Sequence, residues 1–284
     1  MRPRLKSAKF AKVLLIAVVA IELNACAAFQ PLDANGPRSN LPPYPVIASE
    51  PGRLEGATLA WQQLSQRYGL AQNLNADLQP LTGTLHSIPN NIGGSIFLPK
   101  VGVEAVQTEE ETRESLRRFI AEWHSLIGAD PDQLSLVERK DEGNLKVARY
   151  EQRPFRYPLR GGFGNLVIRF QADRRVVDIS SSCLPNTDRL QAALSGLTPK
   201  VTAENAAALV KDRAISVTDT AGQPHSFNLA ANAKIDVTQL VIYLKPSLDS
   251  QALELHLAWE IDVTNGPIKT IYLDAISEQV IAVA

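Results

Sequence analysis

The sequence predicts an α+β protein made of two units, each a helix packed on an antiparallel β-sheet. Three patterns predict it. "TEEETRESLRRFIAEWHSLIG" spaces its apolar residues by three and four, the signature of one helical face. "NLVIRFQADRRVVDIS" alternates apolar and polar residues on either side of a turn, as a half-buried hairpin does. The same order then recurs, with "TAENAAALVKDRAI" followed by "KIDVTQLVIYL", "ALELHLAWEIDVT" and "PIKTIYLDA". A helix with one apolar stripe must bury it, and a sheet with one apolar face accepts it.

The chain has 284 residues, 45% hydrophobic and 21% charged, which suffices for a sizeable core. It opens on "MRPRLKSAK", after which the apolar run Val13 to Ile21 is far shorter than the roughly 20 residues a spanning helix needs. Residues 1–25 therefore read as an export signal. "LNAC", Leu23 to Cys26, resembles the bacterial lipobox, in which the cysteine is lipidated and becomes the new first residue. Asn24 and Glu22 depart from the small or apolar residues that pattern prefers, and ordinary cleavage within Ala25-Cys26-Ala27 is the other reading. Both readings place the protein outside the cytoplasm, the first as a membrane-anchored lipoprotein, periplasmic or at the cell surface. Without the leader the chain carries 24 bases and 29 acids, a net charge of −5, so it lacks the positive excess that nucleic acid binding requires.

Residues 26–52 are rich in Pro, Asn and Ser without apolar periodicity and read as a flexible tether. In residues 57–83, Leu59, Trp61, Leu64 and Tyr68 could share one helical face, while Gly69 and the Asn73–Asn75 region suit turns between short strands; the expectation is strands. The helix that follows begins at Thr108, which forms a capping box with Glu111. Leu116, Phe119, Ile120, Trp123 and Ile127 make its stripe; Glu109 with Arg113 and Glu114 with Arg118 are favourable i, i+4 pairs; Gly128 ends it and Pro131 prevents its resumption. "NLKVARYEQ" and the Leu166, Ile168, Phe170 hairpin, turning near Asp173 and Arg174 and resuming at Val176, supply its sheet. Ser180 to Lys200, where Ser, Pro and Gly collect, separates a first unit, 53–195, from a second, 196–284. In the second unit Thr202 is the N-cap, Ala206, Leu209, Val210 and Ile215 face the sheet, and Asn265-Gly266 closes a hairpin before the terminal "QVIAVA".

Tyr243 in "LVIYL", then "LAWEIDV", then "YLDAIS" resembles the PepSY domain, where an L-A-W strand and a D-A-x-T-G turn recur. Upstream, Arg149, Tyr150, Gln152, Pro158, Gly161, Gly162, Asp173 and Val176 match the pattern of the fungalysin/thermolysin propeptide (FTP) domain. Arg156 and Arg175 stand where that pattern has glycine, and Ser277-Glu278 replaces its PepSY counterpart's Thr-Gly. The resemblance covers about Thr108 to Ala284. It implies a cystatin-like sheet at the C-terminus and propeptide-like units. In secreted thermolysin-like metallopeptidases such domains together help the catalytic domain fold and block its cleft.

Catalytic apparatus is not visible in the sequence. His86, His124, His225 and His256 are far apart and none precedes Glu, so no H-E-x-x-H zinc motif occurs, and no metal or cofactor is expected. No G-x-S-x-G occurs either, and Ser95 and Ser195 read as loop residues. His124 and His256 read as surface or rim residues, Asp173 and Asp178 as solvated charge, and "GGFGN" as a bend between antiparallel strands. Cys183 is a lone thiol if Cys26 is lipidated, and a disulfide partner for it otherwise. The expectation is a non-enzymatic, propeptide-like lipoprotein that binds a separately encoded, exported thermolysin-like metallopeptidase as inhibitor or folding chaperone. The alternative is a non-catalytic protein-binding module of the cell envelope with no peptidase partner.

Overall fold

The computed structural model describes residues 44–284, apart from 72–73, 91, 104–106, 212–213, 219–222, 231, 248–250 and 267. The export signal, Cys26 and most of the expected tether lie outside the described residues. Along the chain, β1 (Val46–Ala48) precedes α1 (Pro51–Arg67), the short β2 (Asp77–Leu78) and β3 (Leu85–Ser87), and β4 (Ile96–Phe97). Next come α2 (Glu109–Glu122), α3 (His124–Ile127) and a 3₁₀ turn, Pro131–Gln133. They lead to β5 (Leu134–Glu142), β6 (Leu145–Gln152), β7 (Leu159–Arg160), β8 (Asn165–Gln171) and β9 (Arg175–Ser181). Then follow α4 (Thr187–Ser195), α5 (Ala203–Lys211), β10 (Ile215–Thr218), β11 (Pro224–Phe227), β12 (Lys234–Pro246), β13 (Ala252–Thr264), β14 (Thr270–Asp274) and β15 (Val280–Val283). The architecture is α+β. Among the described residues no helix is long and apolar enough to cross a membrane.

The first large sheet has the order β4-β9-β8-β6-β5, every neighbour antiparallel. One of its faces carries Ala148, Tyr150, Leu166, Ile168 and Phe170, and on these sit Leu116, Phe119 and Ile120 of α2, each at most 1% exposed. Burying side chains of this kind contributes about 1.5–3 kcal/mol each. The start of α2 is fixed by the Thr108–Glu111 capping box, both halves of which form, at 3.2 and 2.8 Å. Its stripe ends through Gly128, whose left-handed backbone (φ 81) caps α3.

Three expectations are corrected here. Residues 51–67 are a helix and not strands: Pro51 stands at its first turn, and Ala57, Ala60, Trp61 and Leu64, at helical spacing, are buried in the same core. Alanines count as core when tertiary contacts close over them, which the eye tuned to bulky residues misses. Tyr44–Gly52 belongs to the fold and not to a tether, because β1 pairs with β13 and Pro51 opens α1. The separator after Cys183 contains a helix, α4, whose Leu190 and Leu194 pack on the second sheet.

That second sheet runs β15-β14-β13-β12-β7, with β1 also on β13, and everything is antiparallel except β7 on β12. Strand β7 comes from the sequence of the expected first unit, and β1 from the stretch expected to be a tether. The "GGFGN" segment accordingly does not join antiparallel strands of one sheet: it passes the chain from β7 of the second sheet to β8 of the first. Odd-numbered residues of β13, Leu253 to Val263, line the apolar face against α4 and α5. Asn265 takes the left-handed conformation (φ 65) but Gly266 does not, and β13 ends at Thr264 while β14 starts at Thr270, so the connection is a longer loop and not the tight Asn-Gly hairpin expected.

Candidate functional site

Period two puts Glu254, His256, Ala258 and Glu260 on the opposite face of β13, and the antiparallel register sets Tyr243 opposite His256, Gln239 opposite Glu260, Asp274 opposite Ala258 and Tyr272 opposite Glu260. On this face the apolar cluster consists of Val241, Ala258 and Ile281 with Tyr243 and Tyr272, and no helix contributes to it. The Tyr243 and Tyr272 rings lie 4.6 Å apart. Val241 and Ala258 are fully buried beside them, while the rings keep part of their surface in solvent.

Two polar networks flank the rings. At one end Arg160, brought in by β7, forms a two-pronged pair with Glu260 at 2.5 and 3.0 Å, and Gln239 and Tyr272 donate to the same carboxylate at 2.8 and 3.3 Å. Glu260 sits well enough buried for desolvation to push its pKa up, but these donors outweigh that and hold it below the ordinary value. At the other end His256 is 6% exposed, with Nδ1 2.6 Å from Asp274 and Nε2 3.1 Å from Glu254. The Tyr44 ring lies against the imidazole at 4.1 Å, and its hydroxyl donates to Asp274 Oδ1 at 3.0 Å. Asp274 is wholly buried and also accepts the backbone N–H groups of Ile276 and Ser277, each at 2.8 Å.

This arrangement corrects the reading of His256 as a rim residue. Burial alone would lower its pKa, yet the hydrogen bonds to Asp274 and Glu254 raise it above the ordinary value. For Asp274 burial acts upward, and the bonds from His256 and the Ser277 and Ile276 amides bring it below the carboxylate range. Both ring nitrogens donate to carboxylates only in the imidazolium, which has no lone pair left to take a proton. A histidine so held is a clamp: Nε2, the atom a general base would turn to a substrate, faces Glu254.

The pH dependence follows. The imidazolium stabilises the fold fully below its unfolded pKa of about 6.5 and loses this contribution as pH rises through the raised folded value. Asp274 and Glu254 act oppositely, stabilising above about pH 4 and failing as pH falls through their depressed folded values. Urea midpoints measured from about pH 4 to pH 9 should decline above about pH 6.5 in the natural protein. In His256→Gln that alkaline decline should flatten; an identical slope in both proteins refutes the clamp.

The other singled-out residues do not converge. Cys183 is a buried free thiol whose pKa burial pushes up to about 12, the opposite of an activated nucleophile. His124 is exposed at the end of the long stripe, Ser195 bonds back to Ala192 within α4, Asp178 pairs with Arg169 at 2.7 Å, and Asp173 caps its own turn through Arg175 N. Among the described residues no group of three His, Cys, Asp or Glu side chains is placed to hold a metal ion. The residues that do meet were missed because they lie far apart in sequence; only the alternation of Glu254, His256 and Glu260 along one strand face was there to be read.

No protein-family model and no curated protein matches the chain. Among solved structures it is similar to the Bacillus megaterium YpeB C-terminal domain, at 14% identity over 99% of this chain and 98% of that one, with a TM-score of 0.30. Superposition that loose transfers neither topology nor function. The described residues form an α+β protein with two large, mainly antiparallel sheets, the second bearing an aromatic and charged face on which no helix of the described residues packs.

Proposed function

We propose that the protein is an exported, Cys26-anchored, propeptide-like binding protein that engages a separately encoded thermolysin-like metallopeptidase, as inhibitor or folding chaperone, without catalysing a reaction itself. One observation carries the reading: Tyr243, Tyr272 and Arg160 stand together on a sheet face that no helix of the described residues covers. Tyrosine and arginine on a rigid, half-buried base are the side chains that dominate protein interfaces, because they bring large contact area at little entropic cost. The PepSY and FTP resemblance supplies the kind of partner.

The test is direct. Purified protein mixed with exported thermolysin-like enzymes from the same source should co-elute on gel filtration and change their hydrolysis or refolding yield. Tyr243→Ala with Tyr272→Ala should weaken that complex by about 30-fold or more, the loss of two interface anchors. No complex and unchanged hydrolysis sink the peptidase reading, and capture of envelope proteins through the same tyrosines without a peptidase replaces it with the plain binding module.

A further inference from the structure

A second surface lies on the first sheet, away from the tyrosine face. Between α2 and the edge strand β5 is a cleft of about 330 Å³, at the small end of the range for ligand sites. Its walls are Arg113, Arg117 and Ile120 on α2, spaced four and three apart on one helical face, and Leu134 and Leu136 on β5. Pro131 borders it in the 3₁₀ turn, and on the α2 N-terminal side Arg139 of β5 reaches across to Glu109 at 3.0 Å.

Tyr150 also lines it. The residue is 8% exposed, its hydroxyl has no hydrogen-bond partner among the described residues, and Arg113 and Arg139 stand close enough to act on it electrostatically. The hydroxyl is not among the buried atoms left without a partner, so it opens into the cleft, where its donor is available to whatever enters. Arg117 spends Nε and Nη2 on Glu114 and keeps Nη1; Arg113 bonds Glu109 through Nη2 at 2.9 Å, while its Nη1 lies 3.9 Å from Glu110. Donors at the rim and an apolar floor together fit a carboxylate attached to one apolar side chain.

The edge strand decides the source of that carboxylate. Strand β5 ends the sheet, so among the described residues one side of its backbone has no strand partner. Five successive charged residues, Glu138 to Glu142, guard its far half, as edge strands commonly are guarded. The stretch beside the cleft, Leu134 to Val137, is uncharged, and Val137 at a bulge is 43% exposed. The unguarded piece of edge and the socket are adjacent, which suits an extended backbone that pairs with β5 and ends in the cleft.

The geometry points to the α2–β5 cleft as a recognition site for the C-terminal residue of a partner polypeptide: its apolar side chain on Ile120, Leu134 and Leu136, its α-carboxylate on the Tyr150 hydroxyl and the free donors of Arg113 and Arg117. This site does not depend on the peptidase reading and is tested without a peptidase.

The probe is a pool of peptides randomised over the last four positions, presented to the purified protein once with free carboxyl ends and once amidated. Retained free-acid peptides should be enriched in Leu, Ile or Phe at the last position, and amidation should weaken retention about tenfold or more. Tyr150→Phe and Arg117→Gln should each lower affinity about three- to tenfold while leaving the urea midpoint within error of the natural protein. Equal retention of amidated peptides, no enrichment at the last position, or natural affinity in both variants overturns the site. Saturation of the cleft by 3-methylbutanoate with no peptide retained also overturns it, in favour of a small organic acid.

Discussion

Replacing Asp274 with alanine is expected to cost about 3–5 kcal/mol of folding free energy, the range for removing one partner from a buried charged pair. The carboxylate is wholly buried and accepts four hydrogen bonds, from His256, Tyr44, Ile276 and Ser277. Alanine would leave a buried imidazole short of one acceptor, a tyrosine hydroxyl without its acceptor and two turn amides unpaired. For a folded unit of this size the loss corresponds to a melting point roughly 10 °C lower. Asp274→Asn keeps an oxygen for Tyr44 and the turn amides but sets an NH2 donor against His256 Nδ1–H in place of the Oδ2 acceptor, so it should fall between alanine and the natural protein. The electrostatic part is separated by a double-mutant cycle: once His256 is leucine, Asp274→Ala should cost at least about 1 kcal/mol less than in the natural background. Calorimetry and urea unfolding read all five proteins. A natural-like melting point for Asp274→Ala would show that the network is ornament on the sheet face and not part of what holds β14, its following turn and Tyr44 together.

How much of this was legible in the residues depends on how local the cause is. The capping box of Thr108 and Glu111 and the stop at Gly128 are decided within a few residues, and each forms as its chemistry dictates. Strands β12 to β15 were legible for the same reason: alternation along β13 is a property of consecutive residues. Helix α1 was half legible: Trp61 and Leu64 fall at helical spacing with Leu59 and Tyr68, but Leu59 stays exposed, and Ala57 and Ala60, which complete the buried face, carry almost no hydrophobic signal of their own. The clamp was hidden for a different reason. His256 and Asp274 are 18 positions apart, Tyr44 and Asp274 are 230 apart, and the sequence alone assigns no register to strands so separated. An exposed position on one strand becomes a buried one when its cross-strand neighbours bring the right partners, and that is a fact of the sheet and not of the strand.

The largest effect of a single added methyl group is expected at Gly161. Its backbone has φ 90, a region where side-chain-bearing residues are strained, and a Cβ there would stand 2.4 Å from the carbonyl oxygen of Leu244 in β12. The carbonyl cannot step aside, because Leu244 lies inside a strand paired along its length with β13. Gly161→Ala must therefore push β7 off β12, and β7 is the strand that carries Arg160 to Glu260 before the chain crosses to β8. Steric strain of about 1–3 kcal/mol adds to the loss of the Arg160 pair, which leaves Glu260 buried with fewer donors. The expected total is about 3 kcal/mol or more of destabilisation. Gly162→Ala is the informative contrast. It too has a positive φ, 84, but a Cβ there meets nothing within 4 Å, so it bears backbone strain alone and should cost about 1–2 kcal/mol. Comparing the two by urea unfolding separates close approach from conformation. Equal losses would mean that β7 tolerates displacement, and the two sheets would then be joined by the chain alone rather than by a strand of one segment built into the sheet of the other.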